Sequence, residues 1–210
     1  MSVDREGTAW VLYSSGEIFK VSTKDASCQA STYLARQGGL LLFGMGFVTD
    51  SVGSDSEKLW LGGGQATAVS GGKLAVVDTK QTNPQPMIVG NLTANAEQSP
   101  ELTGTNEAKL FGFYPGTSRA FVQEIDRTSG APLGQEYLIP GGLGGQAEAW
   151  AFAQWGGKFY VFVTVTQGLG SNSTVRVIDR ATGGVMTALQ NLPYKIVGAG
   201  VSTCAPSMIE

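Results

Sequence analysis

Histidine is missing from this sequence altogether. It is the side chain most often used as a general acid or base near neutral pH, and catalytic zinc, copper and non-haem iron sites usually need its imidazole. Its absence excludes histidine-based triads and histidine-based metal centres. Chemistry is left to carboxylates, tyrosines, lysines and two cysteines.

Concentrated charge and long hydrophobic runs are also missing. The 210 residues carry 14 basic and 17 acidic side chains, a net charge of −3, and no stretch forms the basic stripe that a phosphate backbone requires. The longest apolar run, "LLLFGMGFV" at 40–48, is about half as long as a membrane-spanning helix. "MSVDREG" lacks the basic and apolar regions of a signal peptide. We expect no nucleic-acid partner, no membrane span and no targeting signal in these residues.

Helical periodicity is nearly absent, and strand patterns replace it. Alternating, β-branched and aromatic runs recur between clusters of Gly, Pro and Asn. One set of runs is anchored at Trp10, Trp60, Phe111 and Tyr160, which are 50, 51 and 49 residues apart. A repeat of about fifty residues made of short strands is typical of a β-propeller blade.

Each repeat divides into four strands, labelled a to d. Strand a is "MSVD", "GFVTD", "ELTGT" and "AWAFA"; strand b contains the anchors; strand c is "EIFKVSTK", "KLAVVDTK", "AFVQEIDRTSG" and "TVRVIDRATGG"; strand d is "STYLAR", "PMIVGNL", "QEYLIPG" and "MTALQNL". The sequence therefore predicts an all-β protein, a single propeller domain with four complete blades at about 1–42, 43–95, 96–144 and 145–194. Asp78, Asp126 and Asp179 follow strand c. We favour turn-forming hydrogen bonds there over calcium ligation, since one carboxylate in each turn offers too few oxygens.

The segment "VGAGVSTC" reads as one more strand a after the four repeats are complete. Its Val201 aligns with Val3, Val48, Leu102 and Phe152, so we expect residues 195–206 to form the inner strand of a fifth blade. Propellers commonly build one blade from both ends of the chain, because an open ring leaves sheet edges exposed. Strands b, c and d of that blade are then expected upstream of Met1, which would make this a five-bladed propeller truncated at its amino end.

Several segments resemble an uncharacterised family of secreted bacterial propeller-like proteins. The resemblance covers nearly the whole chain, and its most specific pieces are "NAEQSPELTGT", "AWAFAQWGGKFYVFVT" and "NLPYKIVGAGVSTCAP". It implies a longer secreted precursor with further strands ahead of Met1, and it implies no activity. "VDREGTAWV" is more distantly similar to the blade element of NHL-type and streptogramin-lyase-like propellers. The lyases of that class use histidine, so only the fold is implied.

The connections from strand d to the next strand a should meet at one mouth of the central channel, where propellers usually bind ligands. The polar and aromatic residues placed there are Glu97, Gln98, Glu101, Gln146, Glu148, Trp150 and Tyr194. Glu97, Glu101 and Glu148 form a candidate metal site for calcium, which takes oxygen ligands, or an acid and base pair if burial raises one pKa. Solvated loop charges are the alternative. Trp150, with Trp155, is also a candidate for stacking on a sugar.

The two cysteines, Cys28 and Cys204, follow strand c of the first blade and the additional strand a. A disulfide between them that closes the ring is feasible and would fit an oxidising compartment. Two separate thiols, or a partner cysteine upstream, are the alternatives.

These observations favour an extracellular or periplasmic binding module that recognises a small molecule, a glycan or a protein at the channel mouth. A carboxylate-based propeller enzyme, either a glycoside hydrolase or a metal-dependent lactonase, is the first alternative. A structural part of a secreted assembly is the second. Two acids about 5 to 10 Å apart in an apolar pocket would favour the glycosidase.

Overall fold

The structure is a computed structural model that describes residues 1–64, 72–95, 98–167 and 170–208. Within these residues sixteen strands form four separate antiparallel sheets, and each sheet holds four consecutive strands in chain order. The predicted all-β fold with four four-stranded blades is confirmed. No helix in this part of the chain has the length and apolarity needed to cross a membrane.

The strands of the first two blades agree with the predicted repeat, except for strand d of blade 1. Blade 1 consists of β1 (Ser2–Val3), β2 (Thr8–Leu12), β3 (Ile18–Ser22) and β4 (Cys28–Ala30). A short 3₁₀ turn at Gln37–Gly39 then leads to blade 2, which consists of β5 (Leu42–Thr49), β6 (Glu57–Gly64), β7 (Lys73–Val77) and β8 (Met87–Asn91).

The last blade has the longest strands. Blade 3 consists of β9 (Glu101–Gly104), β10 (Leu110–Tyr114), β11 (Ala120–Ile125) and β12 (Pro132–Ile139). Blade 4 consists of β13 (Gln146–Trp155), β14 (Lys158–Gln167), β15 (Gly170–Asp179) and β16 (Val185–Leu192).

The blades are arranged as a propeller ring around a central channel. The inner strands lie side by side, β1 with β5, β5 with β9 and β9 with β13. Successive residues of a strand face opposite sides of its sheet, so a blade that lies between two others packs on both. In β6, for example, Leu59 and Leu61 join the core shared with blade 1, whereas Trp60 joins the core shared with blade 3.

The turns after strand c are built by their aspartates. The Oδ1 atom of Asp126 accepts hydrogen bonds from the backbone N–H and the hydroxyl of Thr128, both at 2.6 Å. Asp179 does the same with Thr182, at 2.9 and 3.0 Å. These bonds lower the pKa of both carboxyl groups and stabilise the turns.

Strand d of blade 1 is not where the sequence predicted it. The strand is Cys28–Ala30, and "STYLAR" at 31–36 lies beyond it. The reason is Tyr33, which is 4% exposed and packs its ring on Phe43 at 6.2 Å, in the core between blades 1 and 2. Burial of that ring takes the chain off the sheet edge.

The predicted inner strand at 195–206 is not confirmed, because no strand is present between 193 and 208. The segment nevertheless runs between blades 1 and 4, where β1 and β13 do not make the contact seen at the other junctions. The N–H of Gly156 in blade 4 donates to the carbonyl of Pro206 at 2.7 Å, and the Thr203 hydroxyl donates to Glu57 at 2.6 Å. Gly200 lies so close to the Met1 carbonyl that a Cβ there would be 2.7 Å away. The segment thus lies beside Met1 and Gly156 without strand pairing.

The predicted disulfide is absent, since Cys28 and Cys204 are both free and exposed. Cys28 begins the outermost strand of blade 1. Cys204 follows Thr203, whose hydroxyl oxygen accepts a hydrogen bond from Arg5. Arg5 lies in the turn between β1 and β2.

Candidate functional site

The channel mouth holds a cavity of about 460 Å³. All four blades contribute to its wall, because their inner strands run in the same direction and begin at the same end of the ring. Its polar and aromatic lining includes Phe43, Gln98, Ser99, Glu101, Glu148 and Trp150. Ligand pockets commonly have a volume of about 300 to 1,000 Å³, so the cavity is large enough for a small molecule.

Gly44 brings two walls of the cavity together. A Cβ at this position would be 2.4 Å from the carbonyl oxygen of Pro100 and 2.6 Å from the Cα of Glu101. Such distances are far below van der Waals contact, so only glycine lets β5 and β9 approach this closely. The approach fixes where Glu101 enters the cavity.

Glu101 is the buried acid of the site. It is the first residue of β9, and its side chain is 15% exposed. Burial raises its pKa, while the amino group of Met1, 3.7 Å from Oε1, and a hydrogen bond from the Met45 N–H oppose that rise. Glu101 therefore holds a proton more readily than an exposed glutamate.

Gln98 and Ser99 carry polar atoms that are buried without a partner. Within the described residues, neither the Oε1 of Gln98 nor the Oγ of Ser99 has a hydrogen-bond partner, and both residues line the cavity. Buried polar atoms in proteins nearly always have a partner, and leaving one unpaired costs about 1 to 3 kcal/mol. Both atoms are closed to solvent, so a ligand reaches them only when the two side chains turn toward the cavity.

Glu148 is the ionised acid of the site. It forms an ion pair with Lys195 at 2.7 Å and accepts hydrogen bonds from the hydroxyls of Thr166 and Ser171. The bond from Lys195 is the largest cause that lowers its pKa to about 2, and the two hydroxyls lower it further. Two carboxylates that line one cavity thus have pKa values displaced in opposite directions.

The structure brings together four of the seven residues predicted from the sequence. Gln98, Glu101, Glu148 and Trp150 line the cavity, whereas Glu97 lies outside the described residues. Gln146 and Tyr194 do not line it, and Tyr194 is 68% exposed.

The predicted metal site has three ligands, and one of them, Glu97, lies outside the described residues. Across the described ranges, no three acidic or cysteine side chains come together in a way that could hold a metal ion. Glu101 and Glu148 share the cavity, and the place of Glu97 relative to them lies outside the described residues.

Sequence reasoning missed Ser99, whose position before Pro100 reads only as a turn. It also missed Val197, which reaches the cavity from the segment that follows blade 4. No signal in the sequence marks either residue as part of a ligand site.

We expect Glu101→Gln to change how stability depends on pH. Because the folded-state pKa of Glu101 lies above the ordinary value of 4.5, ionisation of this carboxyl group opposes folding. Its contribution to the free energy of unfolding is therefore greatest below pH 4.5 and is lost as the pH rises through the folded-state pKa. The variant has no carboxyl group to ionise in the cavity wall. It should therefore be more stable than the parent at pH 8 and equal to it near pH 4.

Glu148→Gln is the matched control, with the opposite sign. Its lowered pKa contributes stability that is fully present above the ordinary value of 4.5, so this variant should lose stability at pH 8 and progressively less as the pH falls toward 2. Thermal unfolding across this pH range measures both, and equal responses of the two variants would contradict the assignment.

Comparisons with known proteins show a likeness of fold. No protein-family model matches the sequence, and no curated protein matches it significantly. Among solved structures, the α-L-arabinofuranosidase CtGH43 from Clostridium thermocellum has a TM-score of 0.50 and 12% identity, over 90% of this chain and 75% of that one. The Bacteroides ovatus protein "Xyloglucan PUL GH43B" has a TM-score of 0.51 and 15% identity, over 93% of this chain and 40% of that one.

A third solved structure is the calcium-binding protein regucalcin from Agrobacterium tumefaciens. It has 14% identity and a TM-score of 0.46, over 95% of this chain and 62% of that one. A TM-score this low does not support a shared fold. At these identities the first two structures support the propeller fold alone.

Proposed function

We propose that this protein is an extracellular or periplasmic binding module whose ligand, a small molecule or a glycan, occupies the cavity at the channel mouth. The observation that carries the proposal is the pair of unpartnered atoms, Gln98 Oε1 and Ser99 Oγ, in the wall of that cavity. A ligand with hydroxyl groups would satisfy both once the two side chains turn toward the cavity. Trp150 adds an aromatic surface beside them, and Glu101 adds a carboxyl group that either accepts or donates a hydrogen bond.

Binding is tested with neutral sugars. We expect xylose, L-arabinose or their short oligosaccharides to raise the Tm of the protein, and Trp150→Ala to abolish the shift. Trp155→Ala is the control, because Trp155 is 49% exposed and lies outside the cavity. A shift that survives Trp150→Ala but not Trp155→Ala would place the ligand elsewhere and overturn the proposal.

A glycoside hydrolase is the second candidate, supported by the opposite pKa shifts of Glu101 and Glu148. Glycosidases use such a pair, one protonated acid and one ionised carboxylate. One of the structures similar in fold is an arabinofuranosidase. Release of 4-nitrophenol from its α-L-arabinofuranoside, lost in Glu101→Gln, would favour this function. The ion pair that engages Glu148 with Lys195 favours binding without catalysis. A metal-dependent lactonase stays an expectation that depends on Glu97.

We also propose that a fifth blade completes the ring, with 195–206 as its innermost segment. Support comes from the path of this segment between β1 and blade 4, and from its contacts with both. A protein partner, or a role in a secreted assembly, would use the same gap. The lone segment should gain strand pairing when the remaining sheet is present, which protection of its amides from hydrogen exchange would report.

A further inference from the structure

The anchor aromatics of strand b show which face of each blade has a neighbour. Trp10, Trp60 and Phe111 are 3%, 7% and 2% exposed, and each packs toward the following blade. Tyr160 is the equivalent residue of blade 4 and is only half-buried. Its side of blade 4 faces away from blade 3, because Phe159 and Val161, on either side of it in β14, belong to the core with blade 3.

Two of the buried anchors are covered by an arginine from the following blade. Arg127, which comes after the turn aspartate of blade 3, lies 5.6 Å from the ring centre of Trp60 in blade 2. Its Nη1 also donates to the carbonyl of Thr49 in blade 2, at 3.0 Å. The arginine therefore binds both the aromatic ring and the turn of the preceding blade.

Arg180 repeats this arrangement one blade later. It comes after the turn aspartate of blade 4 and lies 5.0 Å from the ring centre of Phe111 in blade 3. Its Nη2 forms an ion pair with Glu107 of blade 3, at 2.8 Å. Blade 2 has Thr79 at the equivalent position, and there Lys20 of blade 1 covers Trp10 instead, at 4.5 Å.

No cation covers Tyr160 in the part of the chain that the structure describes. The same face of blade 4 carries Phe162, which is half-buried, and the exposed side chains of Met186 and Leu189. Across the gap, blade 1 presents half-buried Phe19. These are the surfaces that the other blades bury against each other, so the face continues the established interface between blades without its partner.

We propose that this face binds a fifth blade of the same repeat, whose arginine after the strand c turn lies over Tyr160. The inference rests on the fifth blade proposed above and adds the chemistry of its contact. We place this blade in the same polypeptide, because the segment after blade 4 supplies its innermost element. The segment after blade 4 runs from Val197 at the channel mouth to Thr203 at the far end, beside Arg5, which is the direction of every inner strand.

The test joins a copy of residues 158–192 ahead of Met1 through a flexible linker. This copy supplies strands b to d of blade 4, including Arg180, and a second fusion carries Arg180→Ala in the copy alone. Both fusions should raise the Tm of the protein. The fusion that retains the arginine should unfold about 2 to 4 °C higher than the other. Tyr160→Ala in the original chain should remove that difference in Tm. Arg127→Ala in the original chain measures how large the effect of such an arginine is where it covers Trp60.

The outcomes separate the two proposals. If both fusions raise the Tm equally and Tyr160→Ala has no selective effect, the fifth blade stands and the arginine contact is wrong. If neither fusion raises the Tm, the docking surface itself is wrong. A dimer of the original chain that persists in both fusions would show that a second copy occupies the gap, which also overturns the proposal.

Discussion

Gly44→Ala should lower the free energy of unfolding by about 3 kcal/mol, and it should weaken ligand binding as well. The added methyl group would meet the Pro100 carbonyl at 2.4 Å, the Glu101 Cα at 2.6 Å and the Leu102 nitrogen at 2.8 Å. All three are backbone atoms, so β9 must move away from β5. Glu101 and the cavity wall would move with it.

Gly170→Ala is the matched control for this substitution. Gly170 lies in β15, it is exposed, and nothing is within 4 Å of the position of its Cβ. Alanine there should change stability by no more than about 0.5 kcal/mol. Urea unfolding measures both variants, and a Gly44→Ala protein as stable as the control would contradict the close approach of the two inner strands.

Phe159→Ala should cost about 3 to 5 kcal/mol, the second large effect. Phe159 is completely buried between blades 3 and 4. Its ring lies 4.8 Å from that of Phe111, 5.5 Å from Phe152 and 5.3 Å from Tyr137. Alanine removes all three ring contacts and leaves a cavity that rigid strands cannot fill.

Phe162→Ala tests the opposite face of the same strand. Phe162 is half-buried and lies on the face of blade 4 opposite to Phe159. Its loss should cost about 1 to 2 kcal/mol, because less apolar area is withdrawn from water. Equal losses for the two phenylalanines would mean that both faces of blade 4 are covered to the same extent, which would contradict the half-buried position of Phe162.

The repeat could be predicted because packing between blades demands it. A large aromatic side chain has to fill the same space at each junction, so Trp10, Trp60 and Phe111 recur at nearly constant steps. Strand d of blade 1 could not be placed, since nothing local shows that Tyr33 leaves the sheet for the core. The glycines of "VGAGVSTC" allow a strand, but pairing depends on a neighbour that sequence pattern does not supply.

The candidate site was predicted in part, for a topological reason. Residues just before or at the start of inner strands must meet at the channel mouth, which placed Gln98, Glu101 and Trp150 there. The pairing of Glu148 with Lys195 joins two loops and depends on side-chain geometry. The sequence predicted a role in the strand c turns only for the aspartates. The distances from Arg127 to the ring of Trp60 and from Arg180 to the ring of Phe111 show that the arginines after these turns link neighbouring blades.

The most direct test of ligand binding at the channel mouth is an NMR titration of the isotope-labelled protein with the sugars named above. We expect the indole N–H of Trp150 and the side-chain amide of Gln98 to shift together and to saturate with the same Kd. The indole N–H of Trp155 should remain unchanged. Saturable shifts confined to residues away from the cavity, with Trp150 and Gln98 unaffected, would contradict a ligand site at the channel mouth.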